Sequence, residues 1–423
     1  MRVDRVSDYE PLSVQTLQAR LSSVPALADR LGNEPWEVRE VGDGNLNLVF
    51  IVSSPRVTVI AKQALPYLRI VGDGWPLPLR RSYFEYNALS RHGARDPGRV
   101  PEVYHFDEVQ ALIVMRYLSP HVILRKSIVA GVKHPRLARD MGIFLARSLF
   151  KGSCLSLTGA EARAEMGLFA ANVELSDITE NLVFSDPYFT ARLNKHTKGL
   201  EPWIEKLRAD RDMKVAAQEM KHAFLAKTET LLHGDLHSGS IMVTPEDTQV
   251  IDPEFATYGP FGFDVGMLLA NFLLAYFSQS GHEATPGARD GYRLWLLDVL
   301  RETWDVFEAE FTRLWRNDRT GILYERTLFE DQGDVIGSEQ GRISVLRGIW
   351  SDAMGFAGVE MHRRILGLAH VEDMEAIPDP ARRLISERRA LALGRQLAVM
   401  RATIRGTDEV CALAEAVETG DLS

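Results

Sequence analysis

Residues 231–254 read LLHGDLHSGSIMVTPEDTQVIDPE and carry polar groups in a fixed order: Asp235, His237, Asp252 and Glu254. Two short apolar runs, 241–243 and 249–251, flank a Pro-Glu-Asp turn, the pattern of a β-hairpin. Asp235 and His237 precede the first run, and Asp252 and Glu254 follow the second. A hairpin would bring these two acidic ends together. One carboxylate to orient an attacking hydroxyl, with others to hold Mg2+ on phosphates, suits phosphoryl transfer. The plainer alternative is a polar turn with solvated carboxylates, but the order of the residues follows a catalytic grammar and not merely its composition.

The elements that would position these groups fall into two kinds. A lead-in helix is expected over 12–31, closed by Gly32, and then three strands within 36–52 and 57–63. The turn GDGN at 42–45 joins the first two strands, and its backbone N–H groups could close over phosphates. Lys62 ends the third strand. Glu85, on a helix expected over 80–91, is either its partner or a surface charge. The loop 71–79 is rich in Gly and Pro, and its Trp75 is either part of a lid or a pin holding the loop to the lobe. A strand over 107–118 ends in Met115, Arg116, Tyr117 and Leu118.

After Ser119 and Pro120 the pattern turns helical, at 123–129, 137–151, 160–173 and 214–230. Asp264 opens the most apolar stretch, 265–277, where a carboxylate would accept backbone N–H bonds and support the helix dipole. An amphipathic helix follows at 290–314, and 331–342 reads as a Gly/Asp-rich insertion. A helix at 345–368 has small residues for close packing and carries His362, Arg363 and Arg364. The arginines either form a solvated face or point into a cleft, where guanidinium groups bind hydroxyls or phosphate oxygens. Closing helices span 379–417. The fold class is therefore α+β, with a β-rich domain at 1–118 and a mainly helical domain at 119–423.

Composition narrows the function. The 423 residues allow two or three domains. The net charge of −9 argues against a general nucleic-acid binder. The stretch 265–277 is too short to span a bilayer, and the first residues lack the apolar core of a signal peptide. Cys154 and Cys411 form no CxxC, so neither a disulfide framework nor a zinc site is indicated, and a cytoplasmic setting is expected.

With HGDLHSGS (233–240) followed by IDPE (251–254), the chain resembles the small-molecule kinases of the protein-kinase-like superfamily. Within it, GDGNLNLVF (42–50), IDPEFATYGPFGFD (251–264) and HRRILGLAH (362–370) resemble the methylthioribose kinase family. The resemblance covers nearly the whole chain. It implies a bilobal fold with a small β-rich N-lobe and a larger helical C-lobe. The implied reaction moves the γ-phosphate of ATP to the 1-hydroxyl of 5-methylthioribose, in methionine salvage. By the same resemblance Asp235 is the catalytic aspartate, contacting substrate, and Asn45 and Lys62 contact the nucleotide. Arg116, Tyr117 and Leu118 are the adenine hinge, and Asp252, Pro253 and Glu254 lie at the nucleotide, with Asp252 and Glu254 holding Mg2+. Arg363 and Arg364 bind substrate, Asp264 braces the catalytic loop, and a homodimer is expected.

Ser240 departs from the superfamily pattern, which places a metal-binding asparagine five residues after the catalytic aspartate. DPE supplies an extra carboxylate instead. In extended backbone residues two apart share a side, so Glu254 could provide the missing oxygen. His233 and His237 are expected to shape the loop. The alternatives are a superfamily kinase for an aminoglycoside, choline or homoserine, or a non-catalytic nucleotide-binding module.

Overall fold

Alternating apolar residues in the first third of the chain build an antiparallel sheet between two layers of helix. In the computed structural model, which describes residues 8–41, 46–68 and 72–420, α1 (Val14–Ser22) and α2 (Pro25–Leu31) come first. They lead into β1 (Glu37–Glu40), β2 (Asn47–Ser53) and β3 (Thr58–Ala64). β4 (Tyr67–Leu68) and β5 (Gly72–Pro76) pair with each other, and α3 (Arg81–Arg95), β6 (Val103–Asp107) and β7 (Leu112–Arg116) follow. The five-stranded sheet has the order β1-β2-β3-β7-β6, with Lys62 opposite Ile113 and Val59 opposite Arg116. Phe50, Val52, Val59, Ala61, Leu112 and Val114 pack on Leu17, Leu21, Leu27 and Leu31 of α1 and α2. Side chains alternate across a strand, so Lys62 points to the other face, where α3 lies.

The expected single helix at 12–31 is two helices. Pro25 has no N–H to continue the first and starts the second, where a missing donor does no harm. The loop expected at 71–79 contains β5, and Trp75 is half-buried. The turn 42–45, and Asn45 with it, lies outside the described residues.

By contacts, Met1–Pro120 and Gln249–Ala256 form one unit, and His121–Thr248 and Thr257–Ser423 a second. Residues 249–256, read from the sequence as part of the helical domain, thus group with the sheet. The second unit is mainly helical. At its centre, the helix Gly262–His282 is buried almost throughout, as its apolar sequence requires. It packs against the helix Val335–Leu366, which packs in turn on the helix Pro380–Met400. Small residues set these distances: a Cβ on Gly266 would lie 2.4 Å from the Ala353 carbonyl oxygen, and one on Gly358 2.3 Å from that of Gly394.

The insertion expected at 331–342 is largely helix. Asp334 accepts from the Gly337 N–H at 2.8 Å and caps the helix Val335–Leu366, which runs unbroken to the twin arginines. Glycines and polar residues in its first turns hid the helical period. Among the described residues, no helix is long and apolar enough to cross a membrane.

Candidate active site

In the sheet-bearing unit, Lys62 Nζ donates to Glu85 Oε1 of α3 at 2.8 Å and also to Asp252 Oδ1. One turn earlier on α3, Arg81 is fully buried. It donates to the Leu65 and Leu46 carbonyls and to Asn47 Oδ1, and its Nε lies 3.3 Å from Glu254 Oε2. Asn47 Nδ2 donates to the same oxygen at 3.2 Å.

Oxygens of Glu85, Asp252 and Glu254 lie within 4.8 Å of one another. They are not aligned by an extended segment, as the sequence suggested. Asp252 has a left-handed backbone, φ 68°, and Ala256 N–H donates to the Pro253 carbonyl, so the chain turns there. Such a conformation stores roughly 1–3 kcal/mol in a non-glycine residue and is typical of functional sites.

Burial raises the Glu254 carboxyl, and the Asp252 carboxylate raises it further, with Lys62 and Arg81 opposing. Burial also works against the Lys62 charge, but Asp252, Glu85 and Glu254 outweigh it and keep the ammonium protonated. Crowded carboxylate oxygens, hard donors whose negative charge burial penalises, are a donor set that fits Mg2+. At the end of β7, the Arg116 N–H bonds the Glu102 carbonyl at 2.9 Å. Tyr117 and Leu118 then leave the sheet without backbone hydrogen bonds among the described residues.

In the helical unit, a turn at 244–247 follows the strand Ile241–Val243, with Thr244 N–H donating to the Asp247 carbonyl at 2.8 Å. The loop before that strand is tied from several sides. Asp264 accepts the N–H groups of His233 at 2.7 Å and Gly234 at 3.1 Å. Its carboxylate therefore braces this loop, and no side-chain cap of its own helix is formed. Gly234 has φ 87°, a conformation that disfavours a side chain at this point. Ser240 Oγ donates to the Asp235 carbonyl at 3.0 Å. Asn271 Oδ1 accepts from both the N–H and the hydroxyl of Ser238.

Asp235 receives the twin arginines. Arg363 Nη2 and Arg364 Nη2 lie 3.1 and 3.2 Å from its Oδ1, while His237 Nε2 is 3.3 Å from its Oδ2. Burial would raise this carboxyl, but His237, Arg364 and Arg363 outweigh it and hold it well below the usual carboxylate range. Burial pushes His237 down to about 4, against the Asp235 carboxylate and with help from Arg364 and Arg125. The ring is therefore neutral at pH 7. Its Nδ1 accepts from the Gly239 N–H at 2.9 Å, which places the ring proton on Nε2, facing Asp235. His237 is thus a donor to the carboxylate and not a base. A carboxylate kept ionised and clamped in this way can orient a hydroxyl.

Asn47, which bonds Glu254, and four further residues of these sites were not singled out from sequence. Glu360 lies between the two arginines, Arg125 bonds Ser238 Oγ at 3.0 Å, and Asn271 and Arg81 hold the loop and Glu254. Asn271 left one signal, a polar amide inside an otherwise apolar helix.

The model of the phosphotransferase enzyme family (APH) matches residues 37–316, which sets the class of this protein. Methylthioribose kinase 1 of Oryza sativa subsp. japonica is 43% identical over 392 residues, covering 90% of each chain. The methylthioribose kinase of Escherichia coli O45:K1 (strain S88 / ExPEC) is 43% identical, covering 96% of this chain and 97% of that one. That of Geobacillus kaustophilus (strain HTA426) is 41% identical, covering 97% and 98%. The chain belongs to the phosphotransferase enzyme family and, within it, to the methylthioribose kinases.

Proposed function

We propose that this enzyme transfers the γ-phosphoryl group of ATP to the 1-hydroxyl of 5-methylthioribose, giving 5-methylthioribose 1-phosphate, a step of methionine salvage. The names of its relatives support the acceptor. The observation that carries the reading is the convergence of Arg363 and Arg364 on Asp235 Oδ1. Asp235 and Glu360 balance the two guanidiniums in charge, so this cluster offers no surplus of carboxylate for a cation. A neutral polyol fits it better than an aminoglycoside or choline.

Asp235 is the catalytic residue. Oδ1 is engaged by two N–H donors and Oδ2 by one, and an ionised carboxylate oxygen has two lone-pair sites. The acceptor hydroxyl therefore bonds Oδ2. Its proton passes to a carboxylate of low basicity, which is adequate because phosphoryl transfer rests on positioning and charge stabilisation. Arg363 and Arg364 bind acceptor hydroxyls and offset charge as it develops.

The sheet-bearing unit is the nucleotide lobe. Lys62 balances phosphate charge, the backbone of Tyr117 and Leu118 after Arg116 reads the adenine edge, and Asn45 contacts the nucleotide as the family resemblance implies. Asp252 and Glu254, with Pro253 between them, would hold Mg2+, which when bound neutralises phosphate charge. The enzyme works as a homodimer in the cytoplasm; light scattering reads the former directly. Phosphorus NMR of the product tests the reaction: a phosphate coupled to the anomeric proton is expected, and a phosphate on any other carbon overturns the assignment.

A further inference from the structure

We propose that Glu360 is a positioning residue that joins Arg363 and Arg364 into a single acceptor-binding pair; this rests on the acceptor site proposed above. Neighbouring residues of an α-helix diverge by about 100° around its axis, so helix geometry alone sends two consecutive arginines apart. Here both reach one atom, Asp235 Oδ1, at 3.1 and 3.2 Å. The bond that makes this possible is one turn back on the same helix. Glu360 Oε2 accepts from Arg363 Nε at 2.8 Å, and Glu360 Oε1 from Arg364 Nε at 2.6 Å.

Glu360 is 0% exposed, and its two oxygens are divided one to each guanidinium. With each Nε committed, the planar forks turn their outer NH2 groups the same way, toward Asp235. The shared carboxylate also lies between two like charges that would otherwise repel at close range. Among the described residues the hydrogen bonds of the Glu360 carboxylate go to Arg363 and Arg364, so its effect passes through the arginines.

Glu360→Gln tests this in the full-length enzyme. The amide keeps one acceptor oxygen but places an NH2 group against the other arginine's Nε–H, so one arginine is released. The expected result is a roughly 10- to 100-fold rise in KM for methylthioribose, with KM for ATP unchanged. Equal changes in both KM values, or no change in either, would overturn the proposal. Glu360→Asp keeps the charge with a shorter reach and should give a smaller rise of the same kind.

A third variant meets the objection that a buried, uncompensated arginine pair prevents folding. In the Arg363→Met/Arg364→Met background, adding Glu360→Met removes the fully buried carboxylate that the arginines had balanced. There Glu360 should be silent, with no further rise in KM for methylthioribose; a further rise shows that it acts independently of the arginines and refutes the idea. Turnover of methylthioribose by the unaltered enzyme reports on the acceptor assignment by itself, whereas the ratios between variants report on Glu360.

Discussion

Replacing Asp235 by asparagine removes one charge and one proton acceptor while keeping the shape of the side chain. The amide oxygen can still accept from Arg363 and Arg364, which now sit 3.1 and 3.2 Å from Oδ1. The amide NH2 would face the Nε2–H of His237, a contact between two donors that a tautomer change does not relieve, because Nδ1 accepts from the Gly239 N–H. The Asp235 side chain is 23% accessible but Arg363 and Arg364 are 11% and 4%, so the pairs are largely buried; with the amide keeping their hydrogen bonds, the loss of charge should lower stability by roughly 1–3 kcal/mol. Lys62, Glu85, Asp252 and Glu254 all belong to the other unit and are untouched, so nucleotide affinity should hold.

What disappears, on the proposed mechanism, is the ionised group assigned to orient the acceptor hydroxyl and take its proton. Such a group is worth roughly 10²- to 10⁴-fold in rate, about 3–5 kcal/mol of barrier. Steady-state ATP turnover with saturating methylthioribose, beside ATP binding measured by calorimetry, separates the two effects. A kcat within a few-fold of the parent enzyme would refute the role given to Asp235.

Three further outcomes follow from the same geometry. Asp235 is depressed in the folded state, so it stays ionised as pH falls and protonates only below the usual carboxylate range; the acid limb of kcat in Arg364→Met should lie at higher pH than in the parent, and coincident profiles would contradict this. Glu254→Ala should raise the Mg2+ concentration for half-maximal activity, by roughly 10- to 100-fold, and an unchanged Mg2+ titration would remove Glu254 from the metal site. Gly266→Ala should lower stability by roughly 1–3 kcal/mol in thermal melts, because its Cβ would press on the Ala353 carbonyl; helix propensity alone favours alanine by about 1 kcal/mol, so the sign of the change decides between packing and propensity.

The candidate groups were legible where they stand close together in the chain. Asp235, His237, Asp252 and Glu254 fall within one stretch of chain, and Lys62 lies in a strand whose alternation is plain, although that strand runs on to Ala64. Arg363 and Arg364 were visible as a pair, but their common target was not, because it lies 128 and 129 residues away in the chain. Glu360 reads from sequence as an ordinary helical glutamate, and only the fold shows its side chain buried between the two guanidiniums. Arg125 and Asn271 are similar: each matters through the catalytic loop, which no local pattern ties to them. The position of Asp264 at a helix start says only that it accepts backbone N–H bonds there; the resemblance implied a brace on the loop before Ile241, and its oxygens accept from His233 and Gly234, 31 and 30 residues before it. The start of the helix Val335–Leu366 was missed for a different reason, since Gly337 and Gly341 weaken its local propensity, and the Asp334 cap and the bonds of the buried Ser338 hydroxyl to Trp315 and Glu330 hold it.

The central claim concerns the acceptor, and kcat/KM across a panel tests it most directly. ATP consumption would be followed with methylthioribose, ribose, choline and an aminoglycoside. Methylthioribose should exceed every other acceptor by orders of magnitude, with the cationic ones near background. Turnover of choline or the aminoglycoside at a comparable or greater kcat/KM would contradict the account.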